Sequence, residues 1–400
     1  MQEELAPLNG VRVIELTEAL AGPYAAMLLG DLGADVVKIE RPGVGDQARR
    51  WGARLPGGES AYFCSTNRNK RSLTLNIQSE AGQAVMRRLL AGADVLLCNI
   101  PRDDSLRRAR LDWDTLHAEF PRLIFASITG YGRSGPYAGR SGYDLVAQGE
   151  SGLMSITGTA ETVPMRFPIP LADMTTGMYA VIGILAALRA REQTGQGQLI
   201  DLSLLESHAA YLAVLAGDVF ATGRPPQPIG NAHPGIVPYQ VFHTADKDVI
   251  IAVGSDRQWA TFCEVIGLGA EVRDDPRFAT NSARLQNRAA LVALIEERLT
   301  HFGSAELLEK LRHAEIPCGP INTVTDLLND PHYRARGNII EQVHPTAGAV
   351  RSLANPVRLT ATPPVYRRPP PALGEHTAEV LGELGYSAEA IAALRNEGVV

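Results

Sequence analysis

The 400-residue chain has few cysteines: only Cys64, Cys98, Cys263 and Cys318, widely spaced and with no Cys-x-x-Cys pair. That scarcity excludes a disulfide framework and a zinc knuckle, and apolar contexts such as Leu96-Leu97-Cys98 leave the thiols as packing residues. No His-Glu-x-x-His or comparable ligand spacing occurs, so no metal is expected. Positive charge is not in excess either: 38 Lys and Arg stand against 44 Asp and Glu, a net charge of −6. A nucleic-acid partner is therefore not expected. The longest apolar run, around Met178 to Leu188, is too short to span a bilayer and is closed by Arg189 and Arg191, so it reads as a buried helix and no membrane partner is expected. Met1-Gln2-Glu3-Glu4-Leu5 is acidic and lacks the cationic start and apolar run of a signal peptide, which points to the cytoplasm. Internal repeats and low-complexity tails are missing too.

What the chain does have is size, with 45% hydrophobic and 20% charged residues. Its length exceeds what one hydrophobic core usually carries, so two domains are expected. Val11-Arg12-Val13-Ile14-Glu15-Leu16 reads as a strand, Gly22-Pro23 opens a helix, and Ala34-Asp35-Val36-Val37-Lys38-Ile39-Glu40 is a second strand, giving a βαβ unit. Further alternation follows: a helix over 80–92, a strand over 95–98, a helix near 113–119 and a strand over 123–128. The spacing predicts an α/β fold with an open, mostly parallel sheet in a large domain. After a helix to about Arg191 and a strand over 199–203 comes a second apolar helix, then the composition break Gly223-Arg224-Pro225-Pro226. The expected division is a large domain over 1–200, a linker over 201–225, a smaller α+β domain over 226–325, and a return over 326–400 that completes the large domain. Short strands near Val343 and Val357 and a helix near 377–384 are expected in that return.

The first βαβ unit invites comparison with a nicotinamide enzyme, because Glu40 closes the second strand where an acid would meet a ribose hydroxyl. The glycine fingerprint is missing, however. Glu18-Ala19-Leu20-Ala21-Gly22-Pro23-Tyr24 offers one glycine where close approach to a pyrophosphate calls for several. Arg41, Lys70 and Arg71 are cations suited to phosphate, although each alone reads as a solvated surface charge.

Asp173 stands at the mouth of an apolar helix, in Ile169-Pro170-Leu171-Ala172-Asp173-Met174-Thr175-Thr176-Gly177. A carboxylate can attack an activated acyl group and form a mixed anhydride, dividing one hard transfer into easier steps. The competing reading is a helix N-cap, for which Asp is favoured.

Several motifs occur together in order: Ala21-Gly22-Pro23, Leu32-Gly33-Ala34-Asp35 running on to Gly43, Asn69-Lys70-Arg71-Ser72, Gly130-Tyr131-Gly132-Arg133-Ser134-Gly135-Pro136-Tyr137, Asp173 to Gly177, and Leu373-Gly374-Glu375-His376-Thr377. With them the chain resembles the family III CoA-transferases, the group of formyl-CoA transferase and carnitine CoA-transferase. The resemblance implies an acyl-CoA enzyme that moves CoA to a free carboxylic acid without a metal or redox cofactor. It further implies acylation of Asp173, an aspartyl-CoA thioester, and oxyanion donors drawn partly from glycine-rich backbone of the small domain. It also implies a homodimer whose two chains are threaded like linked rings.

Residue by residue, the resemblance gives Asp173, Tyr143 and Asp144 as catalytic. It gives Leu20, Ala21, Arg41, Leu75, Asn76, Asn99 and Tyr143 as CoA contacts, with Arg107 or Arg108 as a phosphate partner. The family's racemases look like Gly-His-Asp where this chain has Gly142-Tyr143-Asp144, and a phenol is a poor base at neutral pH, so transfer is preferred over racemisation. The alternative for Tyr143 and Asp144 is a core tyrosine with a helix cap. Leu20 stands where formyl-CoA transferase has Gln, and Gly230-Asn231-Ala232-His233-Pro234-Gly235 replaces its polyglycine loop. The stretches 233–240 and 253–258 are more similar to the succinyl-CoA:glutarate branch. Succinyl-CoA and a dicarboxylate of four or five carbons are the expected substrates, with His233 and Arg257 as candidate substrate contacts.

Overall fold

The computed structural model describes residues 5–400; residues 1–4, part of the acidic opening, lie outside the described residues. The described residues form two compact units: 5–154 with 166–224 and 334–400, and 155–165 with 225–333. The larger unit alternates β1 (Arg12–Leu16), α1 (Ala21–Asp31), β2 (Asp35–Glu40), α2 (Ala61–Ser65), β3 (Lys70–Thr74), α3 (Glu80–Ala91), β4 (Val95–Cys98), α4 (Asp103–Arg108), α5 (Trp113–Glu119) and β5 (Ile124–Thr129). It continues through α6 (Asp144–Glu150), α7 (Leu171–Thr194), β6 (Leu199–Ser203), α8 (Leu204–Ala209) and α9 (Ala213–Thr222). Six strands make one sheet in the order β3-β2-β1-β4-β5-β6, and every pairing in it is parallel.

A parallel sheet needs apolar cover on both faces, and the strand residues alternate accordingly. Val13, Val36, Val95, Leu97, Ala126 and Ile128 pack with α1 and α7 residues such as Ala25, Leu29, Ala180 and Ile184. Ile14, Val37, Leu73, Leu96 and Phe125 point the other way, onto Val85, Met86, Leu89, Leu116 and Val380. Each fully buried aliphatic side chain contributes roughly 1.5–3 kcal/mol. The sheet order reverses between β1 and β4, so the β1–α1 and β4–α4 turns diverge and leave a crevice at their carboxyl ends.

α7 has 24 residues where the apolar core of the run suggested fewer, and by length and composition alone both α7 and the stretch Leu204–Thr222 are apolar enough to cross a membrane. Half of the apolar window of α7 is buried inside the unit, as a core helix requires. Its approach to α1 depends on Gly177, where a Cβ would sit 2.7 Å from the Ala21 carbonyl oxygen. The glycine of the Asp-Met-Thr-Thr-Gly motif is thereby explained by packing.

The smaller unit carries an antiparallel sheet of β7 (Tyr239–His243), β8 (Asp248–Ala252) and β9 (Cys318–Pro320), in that order. Between β8 and β9 lie α10 (Asp256–Ile266), α11 (Ala270–Arg273), α12 (Asn281–Gln286), α13 (Arg288–Leu299) and α14 (Ser304–His313). Trp259, Phe262, Leu291, Ile295 and Leu307 form its own core. Beyond it, α15 (Val324–Asn329) and α16 (Pro331–Ala335) lead to the hairpin β10 (Ile339–His344) and β11 (Gly348–Leu353), then α17 (Thr377–Glu383) and α18 (Ala388–Asn396).

Three sequence expectations need correction. Residues 201–225 are not a linker: they hold the end of β6 and helices α8 and α9, because Ser203 caps α8 and the apolar run propagates the helix. Residues 155–165 cluster with the smaller unit although they precede α7. No strand forms at Val357; the second strand of the late hairpin is β11, and Val357 donates its N–H to the Asn355 side chain instead.

Candidate active site

A cleft of about 880 Å³ opens at the carboxyl ends of the parallel strands, lined by residues that follow β1, β3 and β4 and that close β2 and β5. Asp173 reaches it from the third position of α7, after the N-cap Pro170. Asp173 is therefore not the cap. The capping acceptor comes from another helix: Asp144 Oδ1 takes the N–H of Ala172 at 2.8 Å and of Asp173 at 3.4 Å. Its Oδ2 accepts Gln148 Nε2 at 2.7 Å, so buried Asp144 joins the first turns of α6 and α7. Thr175 and Thr176 turn their hydroxyls back to the carbonyls of Leu171 and Ala172.

The Asp173 carboxylate has no hydrogen-bond or ion-pair partner among the described residues. Burial first, and the negative charge of Asp144 second, push its pKa up to about 7. Both causes disfavour the ionised form, one by removing water and the other by like-charge repulsion. The result is a poorly solvated carboxylate that is still substantially ionised near neutral pH.

Above it, the turn from β1 to α1 is held rigid. Ala19 adopts a left-handed φ of 73°, which costs a non-glycine residue energy unless neighbours enforce it. Its N–H donates to Asp46 Oδ1 at 3.0 Å, while the Asn99 amide takes the N–H of Glu18 and donates to the Glu18 carbonyl. Asp46 Oδ2 pairs with Lys38 Nζ at 2.9 Å, and Lys38 also meets Glu15 at 2.9 Å. Lys70 pairs with the other Glu15 oxygen at 2.9 Å; all four side chains are fully buried. Lys70 and Arg71, which alone read as surface charges, are thus structural, Arg71 pairing with Asp35, Glu379 and Glu383.

Glu40 does not fit a ribose acid. Its oxygens accept Arg49 at 2.7 and 2.8 Å, the Ser72 hydroxyl and the Asp46 N–H. Burial would raise its pKa, but the hydrogen bond and charge of Arg49 bring it down to about 2.

Of the residues expected in the site, Ala21, Arg41, Leu75, Asn76, Asn99, Tyr143, Asp144 and Asp173 line this cleft. Arg41 is largely exposed and lies 3.3 Å from Glu18. Tyr143, the N-cap residue of α6, is 67% exposed and so is not a core tyrosine. Leu20 is buried as the N-cap of α1 and is not part of the lining. Arg107 and Arg108 are exposed on the last turn of α4, also away from the lining. His233 and Arg257 belong to the smaller unit. There His233 Nδ1 accepts the Gly235 N–H and its carbonyl accepts Arg288, while Arg257 is exposed in the first turn of α10.

Sequence reasoning missed Trp51, Tyr62 and Arg166, all of which line the cleft. Trp51 and Tyr62 meet edge to face with centroids 5.4 Å apart. Burial, then the charges of Asp173, Asp144 and Asp46, push the Tyr62 phenol up to about 12, so it is a neutral donor. No histidine lines the cleft among the described residues, and no cluster of His, Cys, Asp or Glu suited to a metal ion occurs among them.

The sequence profile of CoA-transferase family III matches residues 8–377. The chain belongs to the family III CoA-transferases. It is 42% identical over 390 residues to the succinate–glutarate CoA-transferase of Agrobacterium fabrum, covering 96% of this chain and 97% of that one. It is 39% identical to the human succinyl-CoA:glutarate CoA-transferase, over 99% of this chain and 90% of the relative. Among solved structures, a CAIB/BAIF family protein from Brucella suis superposes with a TM-score of 0.85 at 42% identity, over 95% of this chain and all of that one. As a family III CoA-transferase this chain is an enzyme of acyl-CoA metabolism, and CoA thioesters and free carboxylates are its class of substrates.

Proposed function

We propose that this CoA-transferase takes CoA from succinyl-CoA and gives it to glutarate or a similar dicarboxylate through a thioester on Asp173. The substrates are those named for the relatives from Agrobacterium fabrum and human. One observation carries the mechanism: an unpartnered carboxylate, its pKa raised to about 7, faces a cleft large enough for an extended ligand.

The chemistry balances without an external reagent. An Asp173 oxygen attacks the thioester carbonyl of succinyl-CoA, the C–S bond breaks, and a mixed anhydride and CoA thiolate result. The thiolate attacks the Asp173 carbonyl carbon, releasing succinate and leaving an aspartyl-CoA thioester. The acceptor carboxylate then attacks that thioester, expelling the thiolate and forming a second anhydride. Return of the thiolate to the acceptor's carbonyl yields the new acyl-CoA and frees Asp173. Each attack develops an oxyanion, for which neutral donors such as the Tyr62 hydroxyl are suited. The rigid β1–α1 turn keeps the cleft wall fixed while the ligand changes.

A homodimer with threaded chains is the proposed working form, in the cytoplasm. Its support is the apolar surface that α7 and α9 leave uncovered, with Ile182, Val214 and Phe220 at 59%, 78% and 89% exposure. Incubation with succinyl-CoA and a panel of carboxylic acids, read by mass spectrometry of the acyl-CoA products, tests the reaction. Glutaryl-CoA is expected; loss of α-deuterium from a 2-methylacyl-CoA without transfer would instead indicate a racemase.

A further inference from the structure

The carboxylate and guanidinium side chains that line the cleft are Glu18, Glu40, Arg41, Asp144, Arg166 and Asp173. Glu40 is engaged by Arg49 and Ser72, Arg41 by Glu18, and Asp144 by the start of α7 and by Gln148. Arg166 is left: among the described residues its exposed guanidinium has no carboxylate within ion-pair distance. It is therefore the lining cation whose charge the protein does not itself neutralise.

Its placement relative to Asp173 is fixed by a short hydrogen-bonded chain. Gln148 is buried and uses its Oε1 to accept the Phe167 N–H at 2.8 Å, directly after Arg166. The same side chain donates through Nε2 to Asp144 at 2.7 Å, and Asp144 caps the turn that carries Asp173. Arg166 and Asp173 thus hang from one frame without touching. No arginine charge acts on Asp173, whose pKa is set by burial and Asp144 alone.

Building on the proposed reaction, we propose that Arg166 is a specificity residue that holds the distal carboxylate of the dicarboxylate substrate while the proximal carboxylate reacts at Asp173. A monocarboxylate carries no group for it. A guanidinium fork matches a carboxylate in a two-point hydrogen bond, which Lys provides only as a point charge. An arginine paired directly with Asp173 would lower the pKa of the nucleophile and block it; one set apart binds the far end of a four- or five-carbon chain instead.

The test is steady-state kinetics with succinyl-CoA as donor and glutarate as varied acceptor, for the wild type, Arg166→Met and Arg166→Lys. The expected result is a rise of roughly 10–100-fold in KM for glutarate in Arg166→Met, with kcat changing much less and Arg166→Lys recovering part of the loss. A merely structural role would reduce kcat in both variants alike, and that outcome overturns the assignment. So does an unchanged KM, or a lysine variant no better than methionine. A wild type that accepts no dicarboxylate at all contradicts the proposed reaction itself, and the role of Arg166 falls with it.

Discussion

Asp144 hydrogen-bonds the backbone N–H of Asp173 while its charge raises the pKa of the Asp173 side chain. One carboxylate therefore fixes the position of another and opposes its ionisation. The two effects are separable, because an amide keeps the acceptor oxygen and loses the charge.

Asp144→Asn removes the like-charge contribution and leaves the oxygen that caps α7, while its amide nitrogen faces the Gln148 Nε2 donor and gives up that hydrogen bond. The proposed transfer uses the ionised form of Asp173, so the wild-type rate should rise with pH through about 7. In Asp144→Asn the acid limb should move down by roughly 0.5–1 pH unit, a shift of midpoint that is independent of any fall in plateau caused by the lost Gln148 contact. Asp144→Ala also loses the cap and should cost about 1 kcal/mol of stability. A pH–rate profile with denaturant melts distinguishes these outcomes.

Asp173→Asn should abolish transfer, by more than about 1,000-fold, while the fold persists. Its effect on stability has a definite sign. The folded pKa of about 7 exceeds the ordinary value of 3.8, so the folded chain holds this proton more tightly than the unfolded chain. The penalty for ionising it is absent below the ordinary value, grows as pH rises, and is complete above about 7. Asp173→Asn should accordingly match the wild type near pH 4 and be more stable by roughly 1–2 kcal/mol near pH 8, the side chain being only partly buried. Melting curves at the two pH values check it.

Lys38→Met leaves Glu15 and Asp46 buried with one cation fewer, and should cost roughly 3–5 kcal/mol. Asp46 also holds the N–H of Ala19, whose left-handed backbone lines the cleft. KM for the acyl-CoA should rise in any Lys38 variant that still folds, and a KM unchanged alongside a lowered melting temperature would separate the network from the cleft wall.

Much of the fold was legible because a parallel sheet imposes a plain pattern. Runs such as Val95-Leu96-Leu97-Cys98 are buried on both faces, and amphipathic helices such as α3 follow between them. The order of the strands was not legible, since crossover connections leave no local mark. Lys70 read as a surface charge because its partner Glu15 is 55 positions away in sequence and meets it only across the intervening strand β2. The cap reading of Asp173 could not be set aside from the sequence, because the residue that supplies the cap, Asp144 of α6, lies 29 positions earlier. Leu20, Arg107 and Arg108 came from the resemblance and do not reach the cleft lining, whereas Trp51 and Arg166 sit on irregular segments and Tyr62 on the five-residue helix α2, all too short or irregular to carry a periodic signal. For Arg166 a signal existed in hindsight: a lone cation between Met165 and Phe167, seven residues before the candidate nucleophile.

The proposed thioester on Asp173 is tested by trapping. Enzyme incubated with succinyl-CoA alone and quenched with hydroxylamine should yield a hydroxamate, and with borohydride a reduced side chain, on the peptide that contains residue 173, in an amount that falls when glutarate is added first. A modified peptide elsewhere, or no modification while glutaryl-CoA is being formed, would contradict covalent transfer through Asp173.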